Sequence, residues 1–189
     1  MIDWEKLELK EQSPAALGHT SVKHMTATLP VVYYGIGVDP GRNFGIAIFN
    51  GKKLEIFWGT MKKYEKPDRW HYGIEAVDIA RNVLSIVKFT SMKAEKMLVG
   101  AGKACVEGAA YGKAEGQVLL AEIRFGFAFG LYELGLDVKI VPPATIRKGV
   151  TGNGNKAMTE YFPVLNGNAA DAIGVAAYAA GYRKEVENG

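Results

Sequence analysis

The longest ordered signal in the chain begins near Val31. Residues 31–38 are β-branched and aromatic with glycines between them, the pattern of a buried strand, and Asp39-Pro40-Gly41 closes it with a turn. Gly45 to Phe49 reads as a second strand. Asn50-Gly51 is a hairpin signal, and Leu54 to Trp58 reads as a third strand, giving an antiparallel meander. From Tyr72 to Met92 the apolar residues Ile74, Val77, Ala80, Val83, Leu84 and Val87 recur at helical spacing. Lys103 to Glu107 is a short fourth strand, and Glu115 to Leu134 a long helix. Val138 to Val141 is a fifth strand, stopped by Pro142-Pro143. Short helices are expected over Ala144–Gly149 and Lys156–Phe162, and an alanine-rich last helix over Asn168–Tyr182.

This order, β-β-β-α-β-α-β-α-α, predicts an α/β fold. Its mixed five-stranded sheet, an antiparallel meander plus parallel strands, is flanked by helices on both faces. Residues 1–30 lie outside the pattern. Trp4, Leu7 and Leu9 sit among charges and are compatible with a short helix, and Pro14 and the polar stretch after it break the periodicity. The expected organisation is an N-terminal extension of unknown role, 1–30, followed by one domain, 31–189.

Composition adds bounds. With 189 residues and 48% hydrophobic content the chain can build one core of ordinary size. No apolar run is long enough to span a bilayer, and the acidic, amphipathic start does not read as a signal peptide. The single cysteine, Cys105, excludes an intrachain disulfide and fits a reducing compartment. His19, His24 and His71 have no metal-ligand spacing, which argues against zinc. A net charge of +3 says little, but its distribution says more. Lys139 to Lys156 holds four basic residues and no acid, and Lys52 to Arg69 holds six basic against three acidic. Such patches suit a phosphate backbone, and equally an ordinary solvated loop.

Three acids stand where chemistry is expected. Asp39 ends the first meander strand, Glu107 ends the fourth strand, and Asp171 lies in the first turn of the last helix. The expected sheet sets the first and fourth strands side by side. Small residues at Ala169, Ala170, Gly174 and Ala176 let the last helix approach closely. Carboxylates so close repel unless a cation lies between them, and all-oxygen ligation favours Mg²⁺, with Mn²⁺ able to substitute. Each acid alone also has an ordinary reading: turn residue, exposed strand end, or helix-dipole partner with Asn168 as N-cap.

At these residues the chain resembles the RuvC-type Holliday-junction resolvases of the RNase H-like nuclease superfamily. Gly35-Ile36-Gly37-Val38-Asp39-Pro40-Gly41 resembles their opening motif, and Val106-Glu107-Gly108 their second acidic motif. The segment from Asn168 through Asp171 to Ala176 is similar to the third. Pro143 to Lys156, with Arg147-Lys148 and Gly152-Asn153-Gly154-Asn155-Lys156, is similar to the basic glycine-containing segment before it. The resemblance spans about Tyr33 to Tyr182.

It implies a homodimeric endonuclease of DNA recombination and repair, cutting four-way junctions by paired Mg²⁺-dependent phosphodiester hydrolysis. It would work in the cytoplasm with the nucleoid, or in an equivalent DNA-containing compartment. Asp39, Glu107 and Asp171 would hold metal, and Lys156 would neutralise the scissile phosphate. Tyr111, Lys113, Arg147, Lys148, Asn153 and Asn155 would meet DNA, Tyr111 by stacking on an unpaired base. The helix containing Gly126-Phe127-Ala128-Phe129-Gly130 would help form the dimer, unless its phenylalanines face the domain's own sheet.

Two departures matter. Where the family has Asp or His three positions before its last acid, this chain has Asn168, which shares a helix face with Asp171 and would join the metal site through an uncharged amide oxygen that cannot act as a base. Tyr111 also comes one position later than the family's aromatic. A catalytically weakened branched-DNA-binding protein is therefore the alternative function. An actin-like nucleotide-binding protein shares the strand order but would need a second domain and a second phosphate loop, which this length does not accommodate.

Overall fold

The computed structural model describes residues 2–17, 20–64, 70–87, 103–108 and 117–184. Among the described residues, five strands form one mixed sheet: β1 (Lys10–Leu17), β2 (Thr20–Asp39), β3 (Asn43–Thr60), β4 (Lys103–Glu107) and β5 (Asp137–Val141). The described α-helices are α1 (His71–Ile86), α2 (Gln117–Glu133), α3 (Pro143–Thr151) and α4 (Gly167–Ala179).

The meander lies inside β2 and β3. An 18-residue strand drawn straight would separate its ends by roughly 60 Å. Yet the Met61 amide donates to the Arg42 carbonyl at 2.7 Å, and Thr60 Oγ1 to Asn43 Oδ1 at 2.8 Å. β3 therefore doubles back, and Gly51, at φ +70°, sits at the fold, within the expected Asn50-Gly51 turn. β2 shifts register between Thr28 and Tyr33, its first half pairing the second half of β3 and its second half the first. From one edge the sheet thus runs β1, early β2, late β3, early β3, late β2, β4, β5. β1 to β3 pair antiparallel, and β2–β4 and β4–β5 pair parallel.

Residues 10–17 and 20–30 are part of this sheet, and β2 passes unbroken through residue 30. The short helix expected near Trp4 is a single 3-10 turn, Trp4–Lys6. Trp4 is 6% exposed and packs on Phe49, Phe162 and Tyr182. The helix expected over 156–162 is likewise a single 3-10 turn, Met158–Glu160, because Pro163 disfavours helical backbone at the residue before it.

The sheet buries both faces. Ile36, Val38, Phe44, Ile46 and Phe57 pack under α1 and α2, whose inward residues include Ile79, Val83, Ile123 and Phe127. Ala47, Phe49, Ile56 and Cys105 pack under α3, α4 and the N-terminal turn. α4 starts one residue before the expected Asn168, because Asn166 is the true N-cap and accepts from the Ala169 amide at 2.8 Å. At its other end Gly181, at φ +82°, lets the Tyr182 and Gly181 amides bond back to Ala177 and Tyr178. No described helix is long and apolar enough to cross a membrane.

Candidate active site

The glycines of the first motif set the distance between sheet and last helix. A Cβ on Gly37 would lie 2.0 Å from the Ala176 amide nitrogen, and one on Gly45 2.1 Å from the Asn168 carbonyl. With glycine on the strands and alanine on the helix, backbones meet almost directly. That contact brings Asn168 and Asp171 on α4 to the end of β2, where Asp39 lies. β4 runs parallel beside β2, so Glu107 emerges at the same edge.

The Asn168 amide donates to Asp39 Oδ2 at 2.8 Å. Arg147, on α3, reaches Asp171 Oδ2 at 3.4 Å, while Asp171 Oδ1 is buried with no hydrogen-bond partner. Arg124, on α2, donates from Nε to the Glu107 backbone carbonyl at 3.0 Å. Burial, then the charges of Glu107 and Asp171, hold the Asp39 carboxyl well above the usual range; the Asn168 hydrogen bond and Arg147 oppose them. Glu107 is pushed up to about 7 by burial and by Asp171, against Arg147 and Arg124. Burial lowers the Arg124 guanidinium, and Glu107 and Asp39 oppose the shift.

Among the described residues, no three His, Cys, Asp or Glu side chains already stand close enough to form a ready-made metal cage. The donor chemistry nevertheless fits a hard divalent cation. The donors are carboxylate oxygens that repel one another, and one of them, Asp171 Oδ1, is buried without a partner.

The other expected residues divide. Arg147 joins the acids. Lys148 is exposed on α3, and Asn153 and Asn155 are exposed in the loop after it. That loop is braced: Thr151 Oγ1 donates to the Asn153 carbonyl at 2.8 Å, and Asn153 Oδ1 accepts from the Asn155 amide at 2.9 Å. Lys156 is drawn elsewhere, its Nζ 4.3 Å from the centre of the Tyr161 ring, and its charge neighbours are Glu160 and Glu5. Tyr111 and Lys113 lie outside the described residues. Arg124 was missed by sequence reasoning; the one available signal was a lone cation in the otherwise mostly apolar 117–133 segment.

No protein-family model and no curated protein sequence matches the chain. Solved structures do match. Thermus thermophilus RuvC aligns with a TM-score of 0.53 at 15% identity, covering 80% of this chain and 98% of that one. T. thermophilus RuvC in complex with Holliday junction substrate aligns with a TM-score of 0.50 at 14% identity, with the same coverage. At such identity the likeness speaks for the backbone, and by its mixed sheet and paired helix layers the chain has the RNase H-like fold of RuvC.

Proposed function

We propose that the chain is a metal-dependent endodeoxyribonuclease that resolves four-way DNA junctions. The observation that carries the reading is the edge where Asp39, Glu107 and Asp171 meet within a RuvC-like fold, with Asp171 close enough to raise the proton affinity of both Asp39 and Glu107. Asp39, Glu107 and Asp171 would hold Mg²⁺, or Mn²⁺ in its place, with Asn168 beside Asp39. Such an ion, when bound, would supply an activated water and charge stabilisation for the leaving oxygen.

The chain's own side chains do the rest. Arg147, 3.4 Å from Asp171, offers a planar set of donors to a phosphate lying over the acids. Lys148, Asn153 and Asn155 follow the sugar-phosphate backbone, and Lys156 adds charge farther along the same segment. Branched DNA is the partner this reading names, by analogy with the junction-bound neighbour, in whatever compartment holds the DNA.

A homodimer is part of the reading. α2 carries Val118, Phe125, Phe129 and Tyr132 exposed at 85%, 59%, 41% and 68%, spaced along one face of the helix. Its glycines serve an internal contact: a Cβ on Gly126 would lie 2.2 Å from the Gly73 carbonyl of α1.

The test is side-by-side cleavage of a four-way junction, a flap and a linear duplex with Mg²⁺ and with Mn²⁺, using Asp39→Asn as control. Cutting of the junction alone, lost in the control, is the expected result; equal cutting by the control would sink the assignment. Asn168 favours one second reading, a branched-DNA-binding protein with weakened catalysis, in which the junction is bound but left intact.

A further inference from the structure

Arg124 is the only basic residue on α2, and its place in the site differs from that of Arg147. Arg147 faces a carboxylate, whereas Arg124 Nε donates to a backbone carbonyl, that of Glu107, at 3.0 Å. The β2–β4 ladder ends at Val38 and Val106. Glu107 is therefore held through β5, by its pairing with Val141 and by the Gly108 amide donating to the Val141 carbonyl at 2.8 Å. On the β2 side no described strand fixes it, and Arg124 takes that place. The guanidinium also lies near enough to Glu107 and Asp39 to feel both charges.

α2 is anchored independently of this contact. Glu122 Oε1 accepts from the Gly73 amide at the start of α1 at 2.9 Å, Gly126 packs on Gly73, and Arg81 pairs with Glu133. Holding the helix down thus does not require Arg124, and a partly buried arginine spent on one peptide carbonyl calls for a local purpose.

We propose that Arg124 is a positioning residue. By pinning the Glu107 carbonyl it fixes the direction in which the Glu107 side chain leaves β4, and so sets how tightly the three acids take a divalent cation. The proposal rests on the reading of Asp39, Glu107 and Asp171 as a cation site. An arginine suits the task because its rigid fork donates to the carbonyl with one nitrogen while its charge stays within reach of Glu107 and Asp39.

The experiment is calorimetric titration of Mn²⁺ into the full-length chain, free of DNA, for wild type, Arg124→Gln, Arg124→Lys, Glu122→Gln and Asp39→Asn, with melting curves for each. Arg124→Gln is expected to weaken Mn²⁺ binding roughly tenfold, the usual size for losing a residue that orients a ligand. Arg124→Lys, which can still donate to the carbonyl, should recover part of that. Glu122→Gln should lower the melting temperature and leave Mn²⁺ affinity unchanged. Arg124→Gln binding within about twofold of wild type, while Asp39→Asn abolishes binding, would overturn the role of Arg124 and leave the cation site standing. Equal weakening by Arg124→Gln and Glu122→Gln would overturn it too, reducing Arg124 to a structural tie. Should Arg124→Gln not fold, Arg124→Met, which keeps much of the stem but cannot donate to the carbonyl, takes its place, and wild-type Mn²⁺ affinity in that variant counts against the proposal. No Mn²⁺ uptake by wild type, or unchanged uptake by Asp39→Asn, removes the cation site and this inference with it.

Discussion

The Asn168 side chain donates from Nδ2 to Asp39 Oδ2 at 2.8 Å, across 129 positions of sequence. An amide facing a carboxylate with its nitrogen neutralises part of the charge without supplying a ligand. To serve a cation bound at Asp39 the same amide must turn its oxygen inward, and it brings no negative charge when it does.

Asn168→Asp is therefore expected to act in opposite directions on two measurements. Without divalent ions it adds a fourth carboxylate beside Asp39, whose proton affinity is already raised by burial and by two acids, so the melting temperature should fall. With Mg²⁺ or Mn²⁺ it adds a charged oxygen ligand, and junction cleavage should rise roughly 10-fold or more. Equal or lower nicking by the variant would mean that Asn168 does not stand at a ligand position.

The raised carboxyls also give the ion-free protein a definite pH dependence. Asp39 lies well above its ordinary value and Glu107 at about 7, whereas in the unfolded chain both titrate near about 4. The folded state thus binds these protons more tightly than the unfolded state. The contribution is fully present below the unfolded values and is lost as pH rises through the folded ones. In EDTA, the part of stability owed to these two groups should fall as pH rises above about 4, the Glu107 share being lost as pH passes through about 7. Asp39→Asn should flatten that slope, and Mg²⁺ should offset it at the high-pH end. Melting curves at several pH values, with and without Mg²⁺, read all three; a slope unchanged in Asp39→Asn would rule out Asp39 as a source.

Close approach of α4 to the sheet is a stability requirement as well as a site requirement. Gly37→Ala puts a methyl 2.0 Å from the Ala176 nitrogen and 2.5 Å from the Ala172 carbonyl, atoms that cannot move without the helix. A loss of about 3 kcal/mol is expected in denaturant unfolding, at the upper end of ordinary overpacking. If the variant folds at all, its Asp39–Asn168 contact should be broken and Mn²⁺ binding lost. Gly167→Ala, where an added Cβ meets nothing within 4 Å, is the matched control and should leave both unchanged.

What could be read in the sequence follows from which residues carry a pattern. Asp39 was legible because a buried strand ends abruptly at Pro-Gly, and the β3 hairpin because Asn50-Gly51 is a local turn code. β1 was illegible. Its eight residues, Lys10–Leu17, are almost wholly exposed, so no burial alternation marks them, and they contain Pro14. They are a strand because early β2 offers them an edge, which is a tertiary cause. The start of α4 was misplaced by the Asn166-Gly167-Asn168 run, where two asparagines compete for one cap. Only geometry separates them: Asn166 bonds Ala169, which leaves Asn168 free for Asp39. Arg124 was lost because helical periodicity treats a lone charge as a solvent-facing residue.

The two kinds of residue in Gly126-Phe127-Ala128-Phe129-Gly130 make the dimer reading testable apart from the fold. Phe127 is fully buried, 5.8 Å from the Phe44 ring, and the glycines seat α2 on α1. Phe125 and Phe129 instead stack on each other at 5.9 Å on the outside, with no described core residue above them. Phe125→Ser with Phe129→Ser should therefore leave the monomer's stability within about 0.5 kcal/mol, as exposed substitutions usually do. The same pair of changes should convert a dimer to a monomer in light scattering at micromolar concentration. Gly126→Val should do the reverse and lower stability by driving Cβ into the Gly73 carbonyl. A wild-type chain that scatters as a monomer under those conditions would leave the exposed phenylalanines of α2 without the partner assigned to them.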